Sequence, residues 1–122
     1  MTALLDLKVV RELALLEVGP GDSLLPHFLQ TFAGDACASL ERMRARARTA
    51  EPRELAREAH RLKGSSASIG AVQLAGELAE IERSARGGAT AGLEERIAHA
   101  LDLLYASCDA LVRLCHHHAR PR

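Results

Sequence analysis

Apolar residues recur every three or four positions along nearly the whole chain, which is the period of an amphipathic helix and not the period of two that a strand requires. These stripes predict helices over residues 4–17, 22–49, 52–69 and 71–86, and a last helix from residue 91 to the tail. No segment shows a strand pattern. The third helix has the clearest buried stripe, formed by Leu55, Ala59, Leu62, Ser66 and Ile69.

Turn-forming residues lie between the stripes. Gly19-Pro20-Gly21 follows the first helix, and Gly87-Gly88 ends the fourth. Asp22 or Ser23 can cap the second helix and Thr90 the last, because their side-chain oxygens accept from free N–H groups. Short connections favour antiparallel neighbours. The predicted fold is therefore all-α, an antiparallel four-helix bundle with an additional short N-terminal helix.

Composition narrows the class of protein. The 122 residues suit one domain, predicted at 1–118 with a short tail at 119–122. Hydrophobic residues make up 48% of the chain and aromatic residues 2%, so the core must be mainly aliphatic. A net charge of zero gives no overall attraction to nucleic acid or to an anionic membrane. No apolar run approaches the roughly 18 residues of a spanning helix. Three cysteines without a disulfide pattern favour a cytoplasmic protein.

One face of the third helix carries candidate chemistry. At about 100° per residue, His60 lies roughly 140° from the centre of the buried stripe and Gly64 roughly 180° from it, with Lys63 on the flank. His60 is therefore predicted to face water. A glycine inside a helix costs about 1 kcal/mol relative to alanine. An exposed glycine there suggests close approach by another molecule. An imidazole that lies beside a cation and beside a position without a side chain could accept a phosphoryl group.

The run from His60 to Ala71, H-R-L-K-G-S-S-A-S-I-G-A, closely resembles the signature of histidine-containing phosphotransfer (HPt) domains. Those modules carry a phosphoryl group between receiver domains in multistep phosphorelays. The resemblance implies that His60 accepts the group from a receiver aspartate and passes it on, without autokinase activity. It also implies response regulator receiver domains and a hybrid sensor histidine kinase as partners. Any Mg²⁺ is expected on the receiver, and no cofactor on this chain.

The resemblance also implies roles for the neighbours of the histidine. Lys63 would neutralise phosphate oxygens, and Gly64 would leave space for the receiver. Ser65 lies on the flank, where it could touch phosphate. The family often places a polar residue of the next helix against the histidine, and by register that residue is Glu82. Its carboxylate could hold the imidazole N–H, although it would also repel phosphate.

The partner surface is expected to surround the phosphorylated residue. It is predicted to use parts of residues 22–33 and four residues of the third helix, Ala56, Arg57, Arg61 and Ala67. Small apolar side chains within a basic rim suit a transient interface.

Two alternatives keep the helical fold. A scaffold could bind signalling partners without phosphotransfer, and His60 would then be replaceable without loss of binding. A histidine kinase dimerisation domain typically has an acidic residue directly after its histidine and a proline five residues on. Arg61 and Ser65 hold those positions here, which disfavours a kinase.

Metal and nucleic-acid sites are also disfavoured. Di-iron bundles need paired Glu-x-x-His motifs, and the chain has none, so no metal site is predicted. His116-His117-His118 could bind metal adventitiously, but a solvated tail is the simpler interpretation. Four arginines spaced by two scatter around the second helix instead of forming one basic face: Arg42, Arg44, Arg46 and Arg48.

Overall fold

A computed structural model describes residues 3–118, with side chains up to residue 116. The predicted tail at 119–122 lies outside the described residues. Helices make up 79% of the described structure, which confirms the all-α prediction. The elements follow in the order α1 (Leu7–Leu15), β1 (Glu17–Gly19), β2 (Asp22–Ser23), α2 (Leu24–Arg48), α3 (Pro52–Ser68), α4 (Val72–Arg86) and α5 (Leu93–His118).

The four long helices form a closed bundle. Helix α3 packs against α2 and α4, α5 closes the ring against α2 and α4, and α1 lies on α2. The core is built from aliphatic side chains because the chain has few aromatic residues. Its largest fully buried side chains are Val10, Leu25, Leu40, Met43, Leu55, Ile69, Leu74, Leu78, Ile81, Ile97, Leu104 and Leu111.

The predicted stripe of α3 is confirmed. All five of its members are buried: Leu55, Ala59, Leu62, Ser66 and Ile69. Ser66 is accommodated because its Oγ donates to the Leu62 carbonyl one turn earlier, at 2.8 Å. With this side fixed against the core, the opposite side of α3 must face solvent.

The expectation of no strand was wrong in one place. The break at Gly19-Pro20-Gly21 is the turn of a minimal hairpin, in which Glu17 pairs with Ser23 and Gly19 with Asp22. Gly21 has a φ of +74°, a conformation that glycine adopts without strain. Strands of three and two residues are too short to show alternation in the sequence.

Helix boundaries also differ from the predictions at several ends. Helix α1 ends at Leu15 and not at residue 17, because the backbone of Leu16 is extended and leads into β1. Helix α1 begins at Leu7, not at residue 4, because the Asp6 carboxylate caps it by accepting from the backbone N–H of Lys8 at 3.1 Å. Helix α5 begins at Leu93, so Thr90 is not its cap. Thr90 offers its backbone carbonyl to Leu93 instead, in a turn that contains Gly92 at φ +78°.

The cap predicted for α2 is confirmed. Ser23 is the N-cap, and its Oγ accepts from the backbone N–H of Leu25 at 3.2 Å. Pro26 lies in the first turn of α2, where a missing N–H costs no helical hydrogen bond.

The turn between α3 and α4 is fastened to the N-terminal segment. Gly70 has a φ of +85°, and its carbonyl accepts from the backbone N–H of Asp6 at 2.8 Å. A Cβ at this position would come within 2.9 Å of Val10 Cγ2 and 3.0 Å of the Asp6 carbonyl oxygen. The end of α3 therefore has a fixed position relative to α1.

The three cysteines are free and half-buried. Burial raises the pKa of the Cys108 and Cys115 thiols above the ordinary value. Thiols of raised pKa are poor nucleophiles, so these side chains contribute packing. In the part of the chain that the structure describes, no helix has the length and apolarity needed to cross a bilayer.

Candidate functional site

The exposed side of α3 presents His60, whose side chain is 62% exposed. Gly64 lies one turn further on, also exposed, and a Cβ placed on it would meet nothing within 4 Å. Lys63 lies on the flank with 35% of its side chain exposed. The positions predicted from the helical wheel are thus the observed ones, with open space beside the imidazole.

Glu82 of α4 faces this histidine and receives three donors. His60 Nδ1 lies 3.0 Å from Glu82 Oε2, and Lys63 Nζ lies 2.8 Å from Oε1. Arg86 donates from Nε to Oε2 at 2.8 Å. The Glu82 side chain is only 8% exposed, because α3 and α4 pack closely at this level. A nearly buried carboxylate thus connects the imidazole to two cations.

The surroundings of Glu82 keep it ionised. Burial alone would raise the pKa of its carboxyl group, but hydrogen bonds from Lys63, Arg86 and His60 outweigh burial and lower that pKa to about 2. Charge-assisted hydrogen bonds are the stronger kind, and three of them converge here. At neutral pH, Glu82 therefore acts only as an acceptor.

An acceptor at Nδ1 determines the tautomer of the imidazole. An ionised carboxylate has no proton to donate, so the nitrogen that bonds to it must carry the proton. In neutral His60, Nδ1 is then protonated and Nε2 holds the lone pair. The nucleophilic nitrogen is the one that Glu82 leaves free on a largely exposed ring.

Ser65 is exposed, and its Oγ donates to the Arg61 carbonyl at 3.4 Å. That bond stays within α3 and does not reach the histidine. A role for Ser65 beside phosphate remains a prediction.

The predicted partner surface needs one correction. Arg57, Arg61 and Ala67 are exposed as expected, but Ala56 is 6% exposed and belongs to the core. Ala56 directly follows the buried Leu55 and lies near Ala85 of α4, which leaves its methyl group little surface for a partner.

The arginines of α3 differ in how they are paired. Arg61 lies 2.7 Å from the Glu58 carboxylate, and Arg42 of α2 lies 2.6 Å from the same oxygen. Burial raises the pKa of Glu58, while Arg42, Ser39 and Arg61 lower it by more, so the net direction is down. Arg61 therefore shares the single negative charge of Glu58 with Arg42, and the chain compensates its own charge only in part.

Sequence reasoning missed Arg86. It lies four residues after Glu82 on α4, a spacing at which opposite charges meet on one helix face. That spacing was the available signal. It became informative only once Glu82 was known to contact His60.

No group of three or more histidine, cysteine, aspartate or glutamate side chains among the described residues is arranged to hold a metal ion. Of the C-terminal histidine run, the side chains of residues 117 and 118 lie outside the described part.

Comparison with known proteins gives one family. A search of the curated proteins finds no match to the chain. The family model for the Hpt domain matches residues 27–117, which include His60, Lys63, Gly64 and Glu82. Hpt domains are phosphotransfer carriers and not kinases, and they interact with the receiver domains of response regulators in phosphorelays. Because the match spans well over half of the 122 residues, this chain belongs to the Hpt domain family.

Proposed function

We propose that this chain accepts a phosphoryl group on Nε2 of His60 from the aspartyl phosphate of one receiver domain and passes it to the aspartate of another. The supporting observation is the hydrogen bond from His60 Nδ1 to the nearly buried, ionised Glu82. It orients the ring and directs the nucleophilic lone pair to the exposed nitrogen.

The transfer needs no separate base. The Nε2 lone pair attacks phosphorus, an N–P bond forms, and the P–O bond to the receiver aspartate breaks to release its carboxylate. The Nδ1 proton stays in place, so the ring becomes a cation whose charge Glu82 balances. In the reverse direction, a receiver carboxylate attacks phosphorus and Nε2 leaves with the bonding pair.

Lys63 and Arg86 offset the negative charge of the phosphoryl group. Phosphoryl transfer depends chiefly on positioning and on electrostatic stabilisation. A dianion on Nε2 would be repelled by Glu82, and the two cations that already bind this carboxylate reduce the repulsion. Gly64 leaves room for the receiver to bring its aspartate to His60.

The receiver would supply the remaining parts. We expect Mg²⁺ on the receiver, as the resemblance to the family implies. A hybrid sensor histidine kinase is the proposed source of the first receiver. The chain itself would act as a carrier.

Intact mass spectrometry tests the proposal. The purified chain is mixed with phosphorylated receivers, beside His60→Gln and His99→Gln variants. His99 is an exposed histidine of α5. We expect one acid-labile phosphoryl group on the wild type and on H99Q, and none on H60Q.

A scaffold would give a different result. Receiver binding without labelling of any variant, while H60Q still binds the receiver, would contradict the carrier proposal. Labelling of H60Q would place the phosphoryl group on another residue.

A further inference from the structure

A cavity of about 640 Å³ lies beside the site, between the first turns of α3 and the end of α4. Arg53 and Arg57 of α3 and Arg86 of α4 line it, while the small side chains of Ala56 and Ala85 are nearly buried there. No carboxylate is among the described residues that line it. The cavity therefore concentrates positive charge in a protein whose net charge is zero.

Two of these arginines have no ion pair within the described part of the chain. Among the described residues, no carboxylate oxygen forms an ion pair with Arg53 or Arg57 within 4.0 Å. Glu54 and Glu58 border Arg57 in a separate groove. The Glu58 carboxylate is already bound by Arg42 and Arg61, and the Glu54 carboxylate forms no ion pair within 4.0 Å of Arg53 or Arg57. Arg53 and Arg57 thus have donors available for a group from outside.

The cavity adjoins the side of α3 that presents His60. Arg57 precedes His60 by three residues on the exposed side of α3, so the two are surface neighbours. Arg86 belongs to both places, because it lines the cavity and also donates to the Glu82 oxygen that His60 contacts. A molecule docked over His60 would therefore lie close enough to reach into the cavity.

We propose that this arginine cavity receives an acidic side chain of the receiver domain while that domain is docked on His60. The proposal rests on the proposed function and names the chemistry of its partner contact. Guanidinium groups bind carboxylates through paired, planar hydrogen bonds. Complementary charge raises the rate of encounter and determines orientation. Here the local positive surface must provide that steering, since the whole molecule supplies no net field.

The experiment compares two phosphoryl donors. One is a phosphorylated receiver domain, and the other is phosphoramidate, which needs no docking. With phosphoramidate, the P–N bond breaks, ammonia leaves and the N–P bond to His60 forms. The measured quantity is the ratio of the receiver-driven rate to the phosphoramidate-driven rate, at low and at high salt.

Charge reversal tests the cavity. Arg53→Glu with Arg57→Glu is compared with Arg11→Glu with Arg113→Glu, which changes net charge equally at two exposed positions outside the cavity. We expect the first pair to lower the ratio about tenfold at low salt and much less at high salt, as screening predicts. The second pair should leave the ratio near the wild-type value. Arg53→Gln with Arg57→Gln should lower the ratio by an intermediate amount. This neutral pair replaces the double glutamate variant if that variant does not fold.

Three outcomes would contradict the inference or its premise. Equal falls for both reversed pairs would assign the effect to net charge. An unchanged ratio in the cavity variants would mean that the cavity is not part of the interface with the receiver. Failure of both donors to label the folded wild type would instead overturn the proposed function itself.

Discussion

Glu82 defines the chemistry of the site at the scale of single residues. Its 8% exposed carboxylate accepts from His60, Lys63 and Arg86, and its pKa of about 2 keeps it ionised at neutral pH. An amide at this position would keep the shape and lose the charge. It could also turn either its oxygen or its NH₂ group toward the imidazole. Substitution by glutamine therefore separates the role of the charge from the role of packing.

We expect the Glu82→Gln variant to lose the preference of neutral His60 for one tautomer. In the wild type, the charge-assisted bond should favour the Nδ1–H form of the neutral ring by about tenfold or more. In the variant, both forms should be populated. Nitrogen-15 NMR of the imidazole distinguishes them, with His99 as an internal reference. A wild-type ring protonated mainly at Nε2 would contradict the geometry on which the proposed mechanism rests.

At the scale of elements, α3 could be largely predicted from its own sequence. The stripe from Leu55 to Ile69 determines which side is buried, so the exposure of His60 and Gly64 follows from helix geometry alone. The contact between His60 and Glu82 could be predicted only from the register of the next helix together with the family resemblance. The arginine cavity could not be predicted from the sequence, because it depends on how the end of α4 packs against the start of α3.

The turn after α3 contains a glycine whose replacement should lower the stability of the fold. Gly70→Ala should lower the free energy of unfolding by about 1–3 kcal/mol, since alanine at positive φ is strained. Its Cβ would also press on Val10 and on the Asp6 carbonyl. Gly64→Ala is the control, because its Cβ would meet nothing. Urea denaturation should show G64A at least as stable as the wild type. Equal stability of G70A would contradict the prediction, because both the backbone at residue 70 and the N-terminal segment would have to relax around the new methyl group.

At the scale of the whole molecule, the bundle was predictable because one period recurs in every helix. The short hairpin and the start of α5 were not, since they depend on one or two backbone hydrogen bonds and on glycines at positive φ. Ala56 shows the same limit within α3. Its place beside the buried stripe did not reveal that Ala56 is buried as well.

The site also affects the stability of the whole fold in acid. The pKa of Glu82 is lowered from 4.5 to about 2 on folding, so its ionised form stabilises the native state above pH 4.5. That contribution is lost progressively as the pH falls from about 5 toward 2. Because its three donors are partly exposed, we expect only on the order of 1 kcal/mol.

Urea denaturation of the wild type and of E82Q across this pH range measures the contribution. The wild type should be the more stable at pH 6, and the difference should shrink toward zero near pH 2, because Glu82 then takes up the proton that makes it neutral like glutamine. A difference that stays constant with pH would mean that glutamine perturbs packing. In that case the ion pairs of Glu82 would contribute nothing measurable to stability. The role of its charge would then be to orient the imidazole of His60.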